Sequence, residues 1–269
     1  MIRPIAAAVL AALVCASCQE TSRRPAPLAH DCAEAARCVD PAPIGAGGLG
    51  GLDAGVTDAA ALQRTVAGTI AWLDDDTFDA AQPFVASATV RAQAAAGGFA
   101  TSTYAGSAFT LDGVLVSPST WFIAEPASGL DALTTISAVD TTQPTDVILR
   151  LGRPSTLDLI FGVLALPTAV DPQSAQLVVR FVDAVTGQPV QGVAVSVAQA
   201  GIVAYAEAGT WSDDAPGTSS AGLAIVGNLP AVPLPGSIHE VVVSGAGAGT
   251  LEVLVASASL TLLDVALGS

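Results

Sequence analysis

The sequence predicts an all-β chain, two antiparallel β-sandwiches in tandem behind an N-terminal signal and a disordered tether. Three observations predict it. Short apolar runs recur along the chain from residue 65, each bounded by Gly, Pro, Asn or Asp, the punctuation of strands rather than of βαβ units. In Gly192-Val193-Ala194-Val195-Ser196-Val197 every second residue is Val, a period-2 pattern that turns Val193, Val195 and Val197 towards a core. Hydrophobic residues make up 51% of the 269 residues but aromatics only 4%, with 26 Gly and 17 Pro. Such a composition favours short strands and tight turns over large anchors. The length suits two domains of about 100 residues each.

Residues 1–17 read as an export signal. Arg3 is the one charge ahead of the apolar run from Ile5 to Val14. That run falls short of the about 20 residues needed to span a bilayer. The following Val14-Cys15-Ala16-Ser17-Cys18 resembles the bacterial lipobox, in which small residues precede a Cys that becomes lipidated and N-terminal. Ala16, Ser17 and Cys18 fit that pattern, and Cys15 stands where an aliphatic residue is usual. Three cleavages compete: before Cys18, before Cys15 behind bulky Val14, or ordinary secretory cleavage after Ala16. Acylation of Cys18, with palmitate among the lipids added, leaves Cys32 and Cys38 as an even pair able to form a disulfide in an oxidising compartment. Residues 18–64 carry Gly and Pro without apolar periodicity and read as a flexible tether.

The first sandwich is expected over residues 65–153. Its strand candidates are Val66 to Ile70, Phe84 to Val90, Ser107-x-Phe109-x-Leu111-x-x-Val114, Trp121 to Ala124 and Asp146 to Leu151. Residues 154–175 form the linker. Ser155 and Asp158 have capping-box spacing, and Leu157, Ile160, Phe161 and Leu164 share one helical face, so a short helix competes with an extra strand.

The second sandwich is expected over residues 176–269, from Leu177 to Asp183 and Gly192 to Val197, then Gly222 to Val226, Ile238 to Ser244, Leu251 to Ala256 and Leu260 to Leu267. The set Val182-Asp183, Thr186-Gly187, Pro189, Gly192-Val193-Ala194-Val195 and Gly222-x-Ala224-x-Val226-x-x-Leu229-Pro230 resembles the carboxypeptidase regulatory-like family. That resemblance implies an Ig-like or transthyretin-like sandwich with an accessory, non-catalytic role. The first half repeats the plan more loosely: Ser107-x-Phe109-x-Leu111-x-x-Val114 has the spacing of the Gly222 motif, and both halves end alike, in Val147 to Leu151 and Leu263 to Leu267.

Charge and residue inventory narrow the function classes. Net charge is −15, from 24 acidic residues against nine Arg, with no Lys. This excludes the clustered cationic surface that nucleic acid requires. Without Lys there is no Schiff base and no Lys general base. Of the two histidines, His30 lies in the tether and His239 in an alternating strand pattern, where a solvent-facing residue is expected. No cofactor motif and no catalytic set is found, so the chain is read as a non-enzyme. Asp74, Asp75, Asp76 and Asp79 are the one calcium candidate, without the Gly and terminal Glu of an EF-hand loop. Trp72 and Trp211, beside acidic turns, are the candidate ligand contacts, and Trp121 is expected in the core.

A membrane β-barrel would need amphipathic strands of about ten residues and aromatic girdles, which this sequence lacks. The expectation is an envelope lipoprotein held at the outer membrane by an N-terminal lipid anchor, serving as a structural or protein-binding module for an envelope partner. A glycan-binding surface protein, or a soluble protein secreted to the periplasm, is the alternative.

Overall fold

A computed structural model describes residues 62–74, 77–143, 146–164, 169–207 and 209–268. The signal, Cys18, Cys32, Cys38, His30, Asp75 and Asp76 lie outside the described residues. The described chain is all-β apart from one short helix. It runs β1 (Gln63–Leu73), β2 (Ala80–Pro83), β3 (Ser87–Gln93), β4 (Phe99–Ala105), β5 (Phe109–Leu115), β6 (Thr120–Pro126), β7 (Thr134–Val139) and β8 (Val147–Leu151). Helix α1 (Pro154–Gly162) follows. The second half holds β9 (Ala175–Asp183), β10 (Val193–Val197), β11 (Ile202–Glu207), β12 (Thr210–Ser212), β13 (Leu223–Leu229), β14 (Ser237–Gly245), β15 (Gly249–Val255) and β16 (Ser259–Leu267).

Three sheets assemble from these strands. One has β1 between β5 and β8, with β2 beside the end of β1; another is β10-β14-β15. The third has nine strands in the order β12-β11-β13-β9-β16-β7-β6-β3-β4 and so draws on both halves of the chain. Most pairings are antiparallel, as expected. Three are parallel: β1 with β8, and β16 with both β9 and β7. Strand β16 is the stitch that joins the halves.

Alternation along the paired strands fixes the layers. On the nine-stranded sheet, Phe122 and Ala124 share a face with Leu260 and Leu262 through the registers of β6, β7 and β16. The β1 sheet covers that face at one end, closing a core of Ile70, Phe109, Leu111, Phe122 and Leu149. Helix α1 covers the same face at the other end, where Leu157, Ile160 and Phe161 meet Val178, Ile225, Leu260 and Leu262. The opposite face packs on β10-β14-β15, and Trp121, Ile123 and Ile136 from the first half enter that core beside Leu177, Val179 and Phe181. Strands so enclosed are buried on both faces and read as continuous apolar runs, whereas half-solvated strands alternate. The five residues from Thr120 to Ala124 are all buried, while β14 alternates from His239 to Val243.

The linker is a helix rather than a strand, with Thr156, Leu157, Ile160 and Phe161 buried. The expected capping box does not form: Pro154 opens the helix, Arg153 is the N-cap, and no side chain caps it. Proline at the first helical position needs no partner for its missing N–H, so Ser155 falls two places too late to act as cap. Phe161 docks where β13 carries Gly227, at which a Cβ would lie 2.3 Å from the ring. The helix therefore sits close to the sheet because that position is glycine.

Candidate binding surface

The Trp, Asp and His candidates fall in three places. Trp72 stands at the rim of the first core, edge-on to Phe84 with ring centroids 5.1 Å apart, and the Arg153 guanidinium lies 4.2 Å over its ring. Trp211 meets Phe78 edge-on at 5.8 Å, where the two halves join around α1. Both are half-buried, and each already holds a ring contact with its neighbour. Trp121 is in the core, as expected. His239 differs from the expected solvent-facing position. Register with Val253 puts it on the inward side of β14 with Val241 and Val243, at the strand's half-buried start.

Asp74 and Asp183 build the same turn. After β1, the Asp74 carboxylate accepts from the Thr77 N–H at 2.9 Å and the Thr77 hydroxyl at 3.0 Å. After β9, Asp183 accepts from the Thr186 N–H at 2.7 Å and the Thr186 hydroxyl at 2.9 Å. Both main chains close alike, Phe78 N–H to the Asp74 carbonyl and Gly187 N–H to the Asp183 carbonyl. The Thr186 and Val185 donors hold the Asp183 carboxyl below the usual carboxylate range. The closing residue is left-handed in both, Phe78 at φ 59° and Gly187 at φ 69°. Glycine adopts that conformation freely; a Phe there is strained and is kept only when packing demands it. Phe78 is 1% exposed, with its ring in the joint core.

Asp79 belongs to a chain of alternating charges across the joint. Asp79 pairs with Arg180 on β9, Arg180 Nε donates to Asp264 on β16 at 3.0 Å, and Asp264 accepts from Arg150 on β8 at 3.0 Å. Arg150 also donates to the Phe78 carbonyl at 2.8 Å. Burial weakens the charged form of Arg180, but the Asp264 and Asp79 carboxylates outweigh it and raise its pKa. Among the described residues no group of three or more His, Cys, Asp or Glu is placed to hold a metal.

A concave surface lies at the other end of β1. A groove of about 470 Å³ is lined by Arg64, Thr65, Val66 and Ala67 on one side and by Asp146 and Val147 on the other. Strand β5 pairs Gln63 to Gly68, but β8 begins to pair only at Gly68. Thr141, which follows β7, is 1% exposed. Its hydroxyl accepts from the Ser117 N–H at 2.9 Å and donates to the Leu115 carbonyl at 2.7 Å. Arg64 reaches across to the Thr141 carbonyl at 2.7 Å. Sequence reasoning missed this edge, because it depends on where β8 starts and not on any motif.

Among the described residues no helix is long and apolar enough to cross a membrane. No family model matches the chain, and neither does any curated protein. Similar solved structures include the streptococcal ancillary pilin, at 11% identity and TM-score 0.24, covering 77% of this chain and 69% of that one. Shaft pilin SpaA from Lactobacillus rhamnosus GG is similar at 10% identity and TM-score 0.24, with 77% and 98% covered. The group B streptococcus pilus 2b backbone protein is similar at 11% identity and TM-score 0.24, with 76% and 91% covered.

Proposed function

We propose that this chain is an exported, N-terminally lipid-anchored module with a structural or protein-binding role at the cell envelope, and that it is not an enzyme. The observation that carries the reading is β16 paired on one edge with β9 and on the other with β7. A strand shared in this way fixes the two sandwiches against each other, which suits a spacer or scaffold rather than a hinged clamp. The ionic chain from Asp79 to Arg150 ties the same joint from the side. Anchoring rests on Ala16-Ser17-Cys18 behind the apolar run. The placement at the outer membrane, the Cys32–Cys38 disulfide and the division at residues 154–175 belong to the same proposal.

The test is the intact mass of the membrane-extracted protein beside that of a Cys18→Ala variant. The expected product begins at Cys18 and carries acyl mass that the variant lacks. A product beginning at Ser17 without lipid would overturn the anchor and leave a secreted sandwich protein.

A further inference from the structure

Between β15 and β16 the chain turns where its sequence favours extension. From Thr250 to Leu267 there is no Gly, Pro or Asn, the residues that supply the conformations of tight turns. The chain nevertheless leaves β15 after Val255 and enters β16 at Ser259. Ala256, Ser257 and Ala258 alone carry it from the β10-β14-β15 sheet into the nine-stranded one.

That turn is held in a costly shape. Ala258 lies at φ 56°, in the left-handed region that a Cβ disfavours. Phe78 shares the region, but its ring is buried in the joint. Ala258 is exposed, so no packing of its side chain offsets the strain. The turn is tied by the Ser259 hydroxyl donating to the Ala256 carbonyl at 2.7 Å and by the Ser257 N–H donating to the Val232 carbonyl at 2.9 Å. Val232 is exposed, so water can take the second place when the turn opens. Opening relieves Ala258 and makes β15 and β16 one long extended segment.

A released β16 needs a seat of the same kind. Leu260 and Thr261 are fully buried and Leu262 is 2% exposed, so the strand is disfavoured in water. Its seat is specific, with β9 on one edge and β7 on the other. The Leu254 carbonyl accepts the Thr261 hydroxyl at 2.9 Å, and Arg150 and Arg180 each reach Asp264 at 3.0 Å. A second copy of this chain offers all of these partners in the same geometry. Outside the turn, the contacts of β16 are then the same in the closed and the exchanged form, the condition under which identical elements swap at low cost.

We propose that two copies of this chain exchange β16, each seating the strand between β7 and β9 of the other. The proposal goes beyond the structural role above and needs neither the lipid anchor nor an envelope partner.

The test uses the full chain with Cys18→Ala, which removes any acyl-driven association. Warmed to just below its thermal midpoint and cooled, it should form a dimer in proportion to concentration, sized by light scattering. Ala258→Pro cannot adopt the left-handed turn and should favour the dimer by roughly tenfold or more, whereas Ala258→Gly removes the strain and should weaken it about tenfold.

Cross-linking identifies the dimer. The chain has no Lys, so Arg180→Lys adds one side-chain amine beside Asp264, which carbodiimide can couple to that carboxylate. When isotope-labelled and unlabelled chains are warmed together, the dimer should carry links between positions 180 and 264 that join a labelled chain to an unlabelled one. A chain that stays monomeric at every concentration, or a dimer whose links all lie within single chains, would overturn the exchange. Should Ala258→Pro fail to fold, the cross-links decide.

Discussion

The two sandwiches share a strand plan and part company at their third strand. In the first, β4 stays with β3 in the nine-stranded sheet. In the second, β11 leaves β10 and pairs with β13 in the opposite sheet. The connections account for the difference. Between β3 and β4 the chain reverses in a tight hairpin, Ala94 N–H bonding the Gly98 carbonyl across the left-handed Gly97 and Gly98. Between β10 and β11 the chain instead crosses to β13, where the Gly201 N–H bonds the Gly227 carbonyl. A side chain at residue 201 would stand 2.8 Å from the Asn228 Cβ, so glycine permits the crossing. Turn chemistry, more than strand sequence, chose the sheet each third strand joined.

Among the described residues the switch leaves β10 without a paired strand on one edge, and the Thr218 main chain and polar side chains cover it. The Tyr205 hydroxyl accepts from the Val195 N–H at 2.9 Å, and the Thr218 hydroxyl accepts from the Val193 N–H at 3.0 Å. Tyr104, on the corresponding strand β4, donates instead to the Phe84 carbonyl at 2.6 Å. Tyr205 thus satisfies a buried donor as well as donating to the Val195 carbonyl at 3.4 Å, whereas Tyr104 donates to carbonyls.

Five substitutions sharpen this comparison. The largest effect is expected at Phe78, whose left-handed backbone strain is offset by its ring in the joint. Phe78→Ala should lose about 3 kcal/mol in urea unfolding, whereas a loss under about 1 kcal/mol would mean that the joint packs without it. Tyr205→Phe strands a buried N–H and should lose about 2 kcal/mol, against about 1 kcal/mol for Tyr104→Phe; equal losses would erase the distinction. Gly187→Ala forces a left-handed Cβ into the turn where the first sandwich tolerates Phe78, and should cost about 1 kcal/mol.

The smallest effect is acidic. The folded-state pKa of Asp183 lies below its unfolded value, so its contribution is present above about pH 4. It is lost as pH falls through the folded value. Asp183→Asn should flatten the thermal midpoint's dependence below about pH 4, and an unchanged acid limb would exclude this turn as its source.

The half-solvated strands were legible because alternation and turn residues mark them, as in Val193 to Val197. The strands not anticipated, β2, β4, β7, β11 and β12, include polar or small-residue segments such as Thr-Ser-Thr in β4, where pairing partners rather than side chains impose extension. The continuous runs at Trp121 to Ala124 and Leu177 to Val179 carried a further signal. Strands without alternation are covered on both faces, and that is the mark of the shared sheet. The joint's ionic chain left no trace in sequence, for Asp79 and Arg180 stand 101 residues apart and Arg150 and Asp264 114. Trp72 and Trp211 were noticed as rings beside acidic turns, but their packing against Phe84 and Phe78 depends on tertiary placement.

The position of β16 sets an order on biogenesis. Residues 259–267 follow every other strand described in the chain, yet both parallel pairings that join the halves pass through them. During synthesis, β7 and β9 therefore emerge with facing edges that β16 has yet to bridge, the state in which strands pair with the wrong neighbour. The two edges are bridged only when residues 259–267 pair between them. A chain stalled or clipped ahead of residue 259 would present two adhesive edges to its surroundings.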